Sequence, residues 1–108
     1  MTIDEYQQWT INTAIYPGAG KGGLDELLYL ALGLNGEAGE VAEKVKKLFR
    51  DGTFDTELFI KELGDVIYYW ARLCEAVNVD ASEVILENQW KLNSRLERGK
   101  IQGSGDER

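Results

Sequence analysis

The chain has no histidine, one cysteine, one proline and one methionine. Without histidine there is no Ser-His or Cys-His catalytic arrangement and no imidazole-based zinc site. A lone Cys74 can form neither an internal disulfide nor a thiolate cluster, so it reads as inert core in a reducing compartment. Basic charge is scarce: 12 Lys and Arg stand against 19 Asp and Glu, for a net charge of −7. Such a surface repels phosphate backbones and argues against a nucleic-acid polymer as partner. A small phosphate ester remains possible if metal ions bring the positive charge. No apolar run reaches the roughly 18 residues a membrane span needs. The start, Met1-Thr2-Ile3-Asp4-Glu5, has no basic region or apolar run, so no signal peptide is expected. The expectation is a cytoplasmic protein. No strand signal or convincing internal repeat is visible.

What is present is helical. The 108 residues, 44% of them hydrophobic, suit one domain with a core and are too apolar for a disordered chain. A first helix is expected from Thr2 to about Ile15, opened by a Thr2/Glu5 capping box and ended by Pro17 and Gly18. The segment Pro17 to Gly23 reads as a flexible connector. Its Gly18-Ala19-Gly20-Lys21-Gly22 is not a phosphate loop, because Gly22 stands where Ser or Thr is needed and no strand precedes. Lys21 nevertheless has the length to reach a ligand. A second helix should run from about Asp25, as cap, to about Arg50, with Asp51-Gly52 as the stop. Gly33, Gly36 and Gly39 lie inside it at a spacing of three, which suggests close approach of another helix or a ligand. A third helix runs from Asp55 or Thr56 to about Val77, and is apolar on nearly every side. That pattern predicts burial all round. Long rods of this kind in a short chain predict a four-helix, all-α bundle completed by another copy. A fourth helix, capped by Asp80 or Ser82, runs to about Arg98. The domain is thus 1–98, and 99–108 is a small, polar tail whose composition predicts disorder unless it docks.

Two acidic pairs interrupt these apolar stripes. Glu37 and Glu40 stand three apart in the second helix, and Glu62 and Asp65 three apart in the third. Residues three and four apart share a helix face, so each pair sits on a stripe that would otherwise be core. Ionised carboxylates are not desolvated without compensation. Four of them converging from two packed helices call for a cation, and hard oxygen ligands favour Mg²⁺, with Mn²⁺ as the alternative. The chemistry expected is attack of an activated water on phosphorus. Glu37 or Glu40 is the candidate general base, with Glu43 one turn further as an alternative. Lys44 and Lys47 share the face of Glu40, and Asn88, Lys91 and Arg95 form a polar run on the fourth helix. These supply candidate phosphate contacts. Tyr69, one turn beyond Asp65, is a candidate for stacking on a base, as are Trp9 and Trp90.

These residues resemble the MazG-type all-α nucleoside triphosphate pyrophosphohydrolases. The family's Glu-Glu-x-x-Glu motif is matched by Gly36-Glu37-Ala38-Gly39-Glu40, and its following Glu-x-x-Asp by Glu62-Leu63-Gly64-Asp65. The similarity extends to Asn88-x-x-Lys91-Leu92-x-x-Arg95 and to the tail around Gly103-Ser104-Gly105-Asp106. In one departure, Gly36 replaces the first glutamate, so any ligand or base role there is missing. The resemblance implies Mg²⁺-dependent hydrolysis of a (d)NTP to the monophosphate and pyrophosphate, with removal of non-standard or excess deoxynucleotides as the expected role. It implies Glu37, Glu40, Glu62 and Asp65 as metal ligands. It also implies Lys44 or Lys47, Asn88, Lys91 and Arg95 as phosphate contacts, Tyr69 as a base contact, and homo-oligomers, either dimers or dimers of dimers. Two other readings are a dUTP/dCTP-specific or alarmone hydrolase of the same fold, and a non-catalytic helical interaction module with a structural ion.

Overall fold

A computed structural model describes residues 1–108. It contains four α-helices and no strand: α1 (Ile3–Trp9), α2 (Leu24–Asp51), α3 (Thr56–Ala76) and α4 (Ala81–Glu97). The all-α expectation holds. The first helix is shorter than its sequence pattern suggests. The Thr2/Glu5 capping box forms as expected, but after Trp9 the chain tightens into a 3-10 turn over Thr10–Thr13. The Thr10 hydroxyl donates to the Gln7 carbonyl at 2.6 Å, bonding back to the helix's own backbone. At α2 the cap is Gly23 rather than Asp25, which lies in the first turn. Gly52 ends the helix in the left-handed region at φ 75°. Asp55 caps α3 through its side chain, which accepts from the Leu58 N–H at 3.2 Å. Asp80 occupies the cap of α4 without a side-chain bond. Asp4 instead reaches across from α1 and accepts from both the N–H and the hydroxyl of Ser82.

The centre of the molecule is the α2–α3 hairpin. Gly33 meets Tyr69, Glu37 lies beside Asp65, and Lys44 reaches Glu62. The partners step in opposite directions along the two helices, so the pair is antiparallel. Helices α1 and α4 pack on α3 and on each other, and the α4 backbone does not come close to α2. Close packing is confined to one end. The buried apolar residues are Leu30, Ala71, Cys74, Ala76 and Ala81. Burial pushes the Cys74 thiol above its ordinary pKa, in keeping with an inert core residue.

The same end holds a buried polar network that the sequence pattern does not reveal. Glu26 and Arg72 are each 1% exposed and lie 3.5 Å apart. The Tyr16 hydroxyl donates to Glu26 at 2.6 Å and accepts from Arg72 Nε at 3.0 Å. The N–H groups of Gly20 and Gly22 donate to the same carboxylate at 2.9 and 2.8 Å. The segment expected as a flexible connector is therefore folded around Glu26 of α2. Gly20 and Gly22 reach this arrangement at φ 77° and 66°, where an L side chain is strained. Beside it, the Gln7 amide donates to Glu75 and to the Val79 carbonyl, and its oxygen accepts from the Ala81 N–H. This ties α1 to the turn between α3 and α4.

Away from that end the helices stand open. The expected burial of α3 on every face is not met within one chain: Leu58, Ile60, Leu63 and Ile67 are exposed. So are Leu24, Leu28 and Leu32 on α2, and Ile85, Leu86 and Trp90 on α4. The radius of gyration is 16.4 Å, against about 13 Å for a compact chain of this length. The tail beyond α4, for which composition predicts disorder, folds back on that helix. Arg108 donates to the carbonyls of Lys100, Ile101 and Gly105. No helix is long and apolar enough to cross a membrane.

Candidate metal and nucleotide site

Packing the two helices antiparallel brings three of the four acidic residues together. Carboxylate oxygens of Glu37, Glu62 and Asp65 lie within 4.8 Å of one another. Glu37 and Glu62 are half-buried and Asp65 is exposed. Burial raises the pKa of Glu37, and the charges of Asp65 and Glu62 raise it further. A carboxyl held in this way resists ionising until positive charge arrives. The nearest cation is Lys44, whose Nζ is 4.0 Å from Glu62. One lysine at that distance leaves three carboxylates under-neutralised. The cluster therefore fits a small divalent ion by its chemistry: three hard oxygen donors, uncompensated charge, and an open side where water or phosphate can complete the shell.

The fourth member behaves differently. Glu40 is exposed and outside the three-residue cluster. It makes no ion pair, since Lys44 turns across the helix pair to Glu62 instead of forming the helical Glu40–Lys44 pair. Glu43 is also turned away from the cluster, bonded to Lys46 at 3.0 Å. Lys47 lines a small hollow with Lys44, Thr53 and Phe54 at the far end of the hairpin.

Tyr69 lies one turn from Asp65, as its spacing requires, and its ring rests on α2 at Gly33. A methyl group at Gly33 would overlap that ring. This accounts for one glycine of the Gly33, Gly36, Gly39 series, whereas Gly36 and Gly39 have open space beside them. Burial raises the pKa of Tyr69, with the neighbouring Tyr29 hydroxyl and the charge of Glu37 adding to it. Trp9 stacks on Tyr6 at 5.9 Å, and Trp90 is 77% exposed on α4. Neither belongs to the carboxylate site.

The polar run on α4 is not part of this cluster within one chain: the α4 backbone does not come close to α2, and its two cations are engaged by the tail. Asn88 is exposed. Lys91 pairs with Asp106 of the tail at 3.2 Å. Arg95, 4% exposed, donates to the Gly105 and Asp106 carbonyls at 3.3 and 2.8 Å. Two of the expected phosphate contacts thus hold the tail in place. Sequence reasoning passed over Tyr16 and Tyr29, which stack in parallel at 4.9 Å beside Tyr69. It also passed over Glu26 and Arg72. An arginine in the middle of the apolar run of α3 is the one signal that points to a buried partner.

Comparison with known proteins agrees with this geometry. The family model described as "MazG nucleotide pyrophosphohydrolase domain" matches residues 26–99, a segment that includes both acidic pairs. "Gene 37 protein" of Mycobacterium phage L5 is 48% identical over 114 aligned positions, which span the whole of both chains. No solved structure matches the chain. An antiparallel α2–α3 hairpin with paired acidic residues, inside a segment matched over more than half the chain, places this protein in the MazG nucleotide pyrophosphohydrolase domain family.

Proposed function

We propose that this protein is a Mg²⁺-dependent nucleoside triphosphate pyrophosphohydrolase acting as a homo-oligomer, converting a (d)NTP and water to the monophosphate and pyrophosphate. The observation that carries the reading is the cluster of Glu37, Glu62 and Asp65 with oxygens within 4.8 Å. It is supported by the raised pKa of Glu37 and by membership of the family. Mn²⁺ has the same preference for oxygen ligands and would serve in its place.

Glu37, Glu62 and Asp65 would hold the ion. A bound divalent ion supplies charge neutralisation for the triphosphate and lowers the pKa of a water. Glu40, unpaired and one turn along α2 from Glu37, would accept the proton that the attacking water loses. Lys44, already drawn towards Glu62, adds positive charge near the phosphates. Tyr69 would contact the base. The extensive exposed apolar faces of α2 and α3 support assembly with further copies. Such an assembly would also allow Lys91 and Arg95 to meet phosphate across a subunit boundary.

The test is product analysis. Pure protein is given a (d)NTP with and without Mg²⁺, and the products are separated by ion exchange. Monophosphate and pyrophosphate in equal amounts, only with metal, are expected. Asp65→Asn should lower kcat/KM on the order of 10²-fold. Orthophosphate as first product, or equal rates in both proteins, would overturn the proposal.

A further inference from the structure

A second feature adjoins the carboxylates. Tyr16, Tyr29, Tyr68 and Tyr69, with Thr13 and Pro17, line a cleft of about 470 Å³ between the 3-10 turn, the glycine loop and the hairpin. Its aromatic rings form a continuous series. Tyr16 and Tyr29 are parallel to within 6° at 4.9 Å. Tyr69 follows at 6.3 Å from Tyr29, and Tyr68 meets Tyr69 edge-on at 5.4 Å. Tyr29 remains 40% exposed. The series is held from behind, where the buried Glu26 and Arg72 fix the Tyr16 hydroxyl. Gly33 lets the Tyr69 ring lie against α2.

The position of the cleft selects its occupant. Gly33 lies one helical turn before Glu37, and Tyr69 one turn after Asp65. Ring and carboxylates are therefore offset by about 6 Å along both helices. In a nucleotide the α-phosphorus is one sugar removed from the base. An aromatic cleft one turn from a cation site matches that separation.

The polar content of the cleft decides what it can distinguish. No amide, carboxylate or guanidinium group lines it. Three of its hydroxyls already have partners: the Thr13 hydroxyl donates to Tyr68 at 3.0 Å, Tyr68 donates to the Thr13 carbonyl at 3.3 Å, and Tyr16 is bonded to Glu26, whereas those of Tyr29 and Tyr69 belong to residues that are not buried. Strong rejection of a wrong base needs buried polar groups that the wrong base leaves unpaired. Here the Tyr29 and Tyr69 hydroxyls are not buried away from water, so neither is stranded when a base leaves it unpaired. Stacking remains, and it grows with the area of the ring system while tolerating any base edge.

We infer that the tyrosine cleft is the nucleobase subsite, and that it ranks substrates by stacking area, favouring purine over pyrimidine nucleoside triphosphates with little discrimination within each class. The inference rests on the pyrophosphohydrolase reading and adds to it a substrate class and the residues Tyr16, Tyr29, Tyr68 and Thr13.

The experiment is steady-state pyrophosphate release from dATP, dGTP, dCTP and dTTP, with wild-type protein, Tyr29→Leu and Tyr69→Leu. KM for the purine substrates should be about 3- to 10-fold lower than for the pyrimidines, with kcat nearly constant. Within each class the spread in kcat/KM should stay under about threefold. Each leucine variant should bring the purine-to-pyrimidine ratio towards one. A pyrimidine preference, or one base favoured by more than about 100-fold, overturns the inference from wild-type data alone. An unchanged ratio in folded variants, checked by circular dichroism, also overturns it. So does light scattering that shows the variants only dissociating the assembly, which would make the cleft a subunit contact. Hydrolysis of no triphosphate overturns the pyrophosphohydrolase reading and this inference together, whereas hydrolysis in the wrong order overturns the inference alone.

Discussion

At the residue scale, the three clustered carboxylates and Glu40 are expected to part company on mutation. Glu40→Gln should lower kcat by about 10²-fold, the upper effect of losing a proton acceptor being larger still, while leaving metal affinity close to wild type. Asp65→Asn should lose both. A rate series at increasing Mg²⁺ separates the two, because excess metal would restore part of the Asp65→Asn activity and none of the Glu40→Gln activity. If excess metal rescues Glu40→Gln instead, Glu40 belongs among the ligands.

Glu37 also gives a pH signature. Its folded pKa is raised by burial and by Asp65 and Glu62. A carboxyl with a raised folded pKa binds its proton more tightly in the folded state. Its stabilising contribution is present below the unfolded value, near 4.3, and is lost as pH rises through the folded one. Other carboxyls run the opposite way. Asp4 is lowered by its bonds to Ser82, and Asp106 by its bond to Lys91. The informative quantity is therefore the difference between wild type and Glu37→Gln. Without metal, the variant should gain Tm relative to wild type as pH rises from 4 to 7. Added Mg²⁺ should stabilise the wild type and reverse that order at pH 7. A difference independent of pH would mean that Glu37 is not under the strain its surroundings imply.

At the scale of elements, local signals in the sequence translate well. The Thr2/Glu5 capping box and the Gly52 stop both form, because each depends on neighbours within a few residues. The i, i+3 acidic pairs also place Glu37, Glu62 and Asp65 once two helices pack. Glu40 escapes because spacing fixes a face but not a rotamer or the helix rotation. What the sequence hides is pairing at a distance. Arg72 and Tyr16 are 56 positions apart, and Gln7 and Ala81 are 74 apart. No periodicity links such partners, so a loop clasped around Glu26 reads as a flexible connector, and a buried arginine passes for part of an apolar run.

The clasp carries its own prediction. Burial alone would raise the pKa of Glu26, but hydrogen bonds from Tyr16, Gly20 and Gly22 and the charge of Arg72 outweigh it and hold the group ionised. The Tyr16 hydroxyl is pushed up to about 12, by burial first and then by its bond to Glu26. Removing one charge strands the other. Glu26→Ala should destabilise by about 3–5 kcal/mol, read as a lower urea midpoint. Replacing Glu26 and Arg72 together by Leu and Met should recover much of that loss. An isolated Glu26→Ala loss below about 1 kcal/mol would mean that water satisfies Arg72.

On the scale of the whole molecule, one chain leaves much of its apolar surface uncovered. Its packed apolar core is a handful of residues at one end, while Leu24, Leu28 and Leu32 and the exposed stripe of α3 have nothing against them. A surface of this kind is expected to be covered by further copies. Sedimentation equilibrium should find a dimer or a dimer of dimers, and Leu32→Glu should shift it towards monomer with a lower Tm. A stable wild-type monomer at micromolar concentration would refute the bundle-completion account. The composition hints at this incompleteness, since long apolar rods in a short chain need more surface to cover them than the chain provides.

The central claim is that the acidic residues of α2 and α3 gather around a divalent ion. Manganese titration, followed by the electron paramagnetic resonance signal of the free ion, tests it without relying on turnover. Wild type and Glu40→Gln should take up Mn²⁺ alike, and Glu37→Gln and Asp65→Asn should bind at least about tenfold more weakly. Equal uptake by all four proteins, or none by the wild type, would contradict the account.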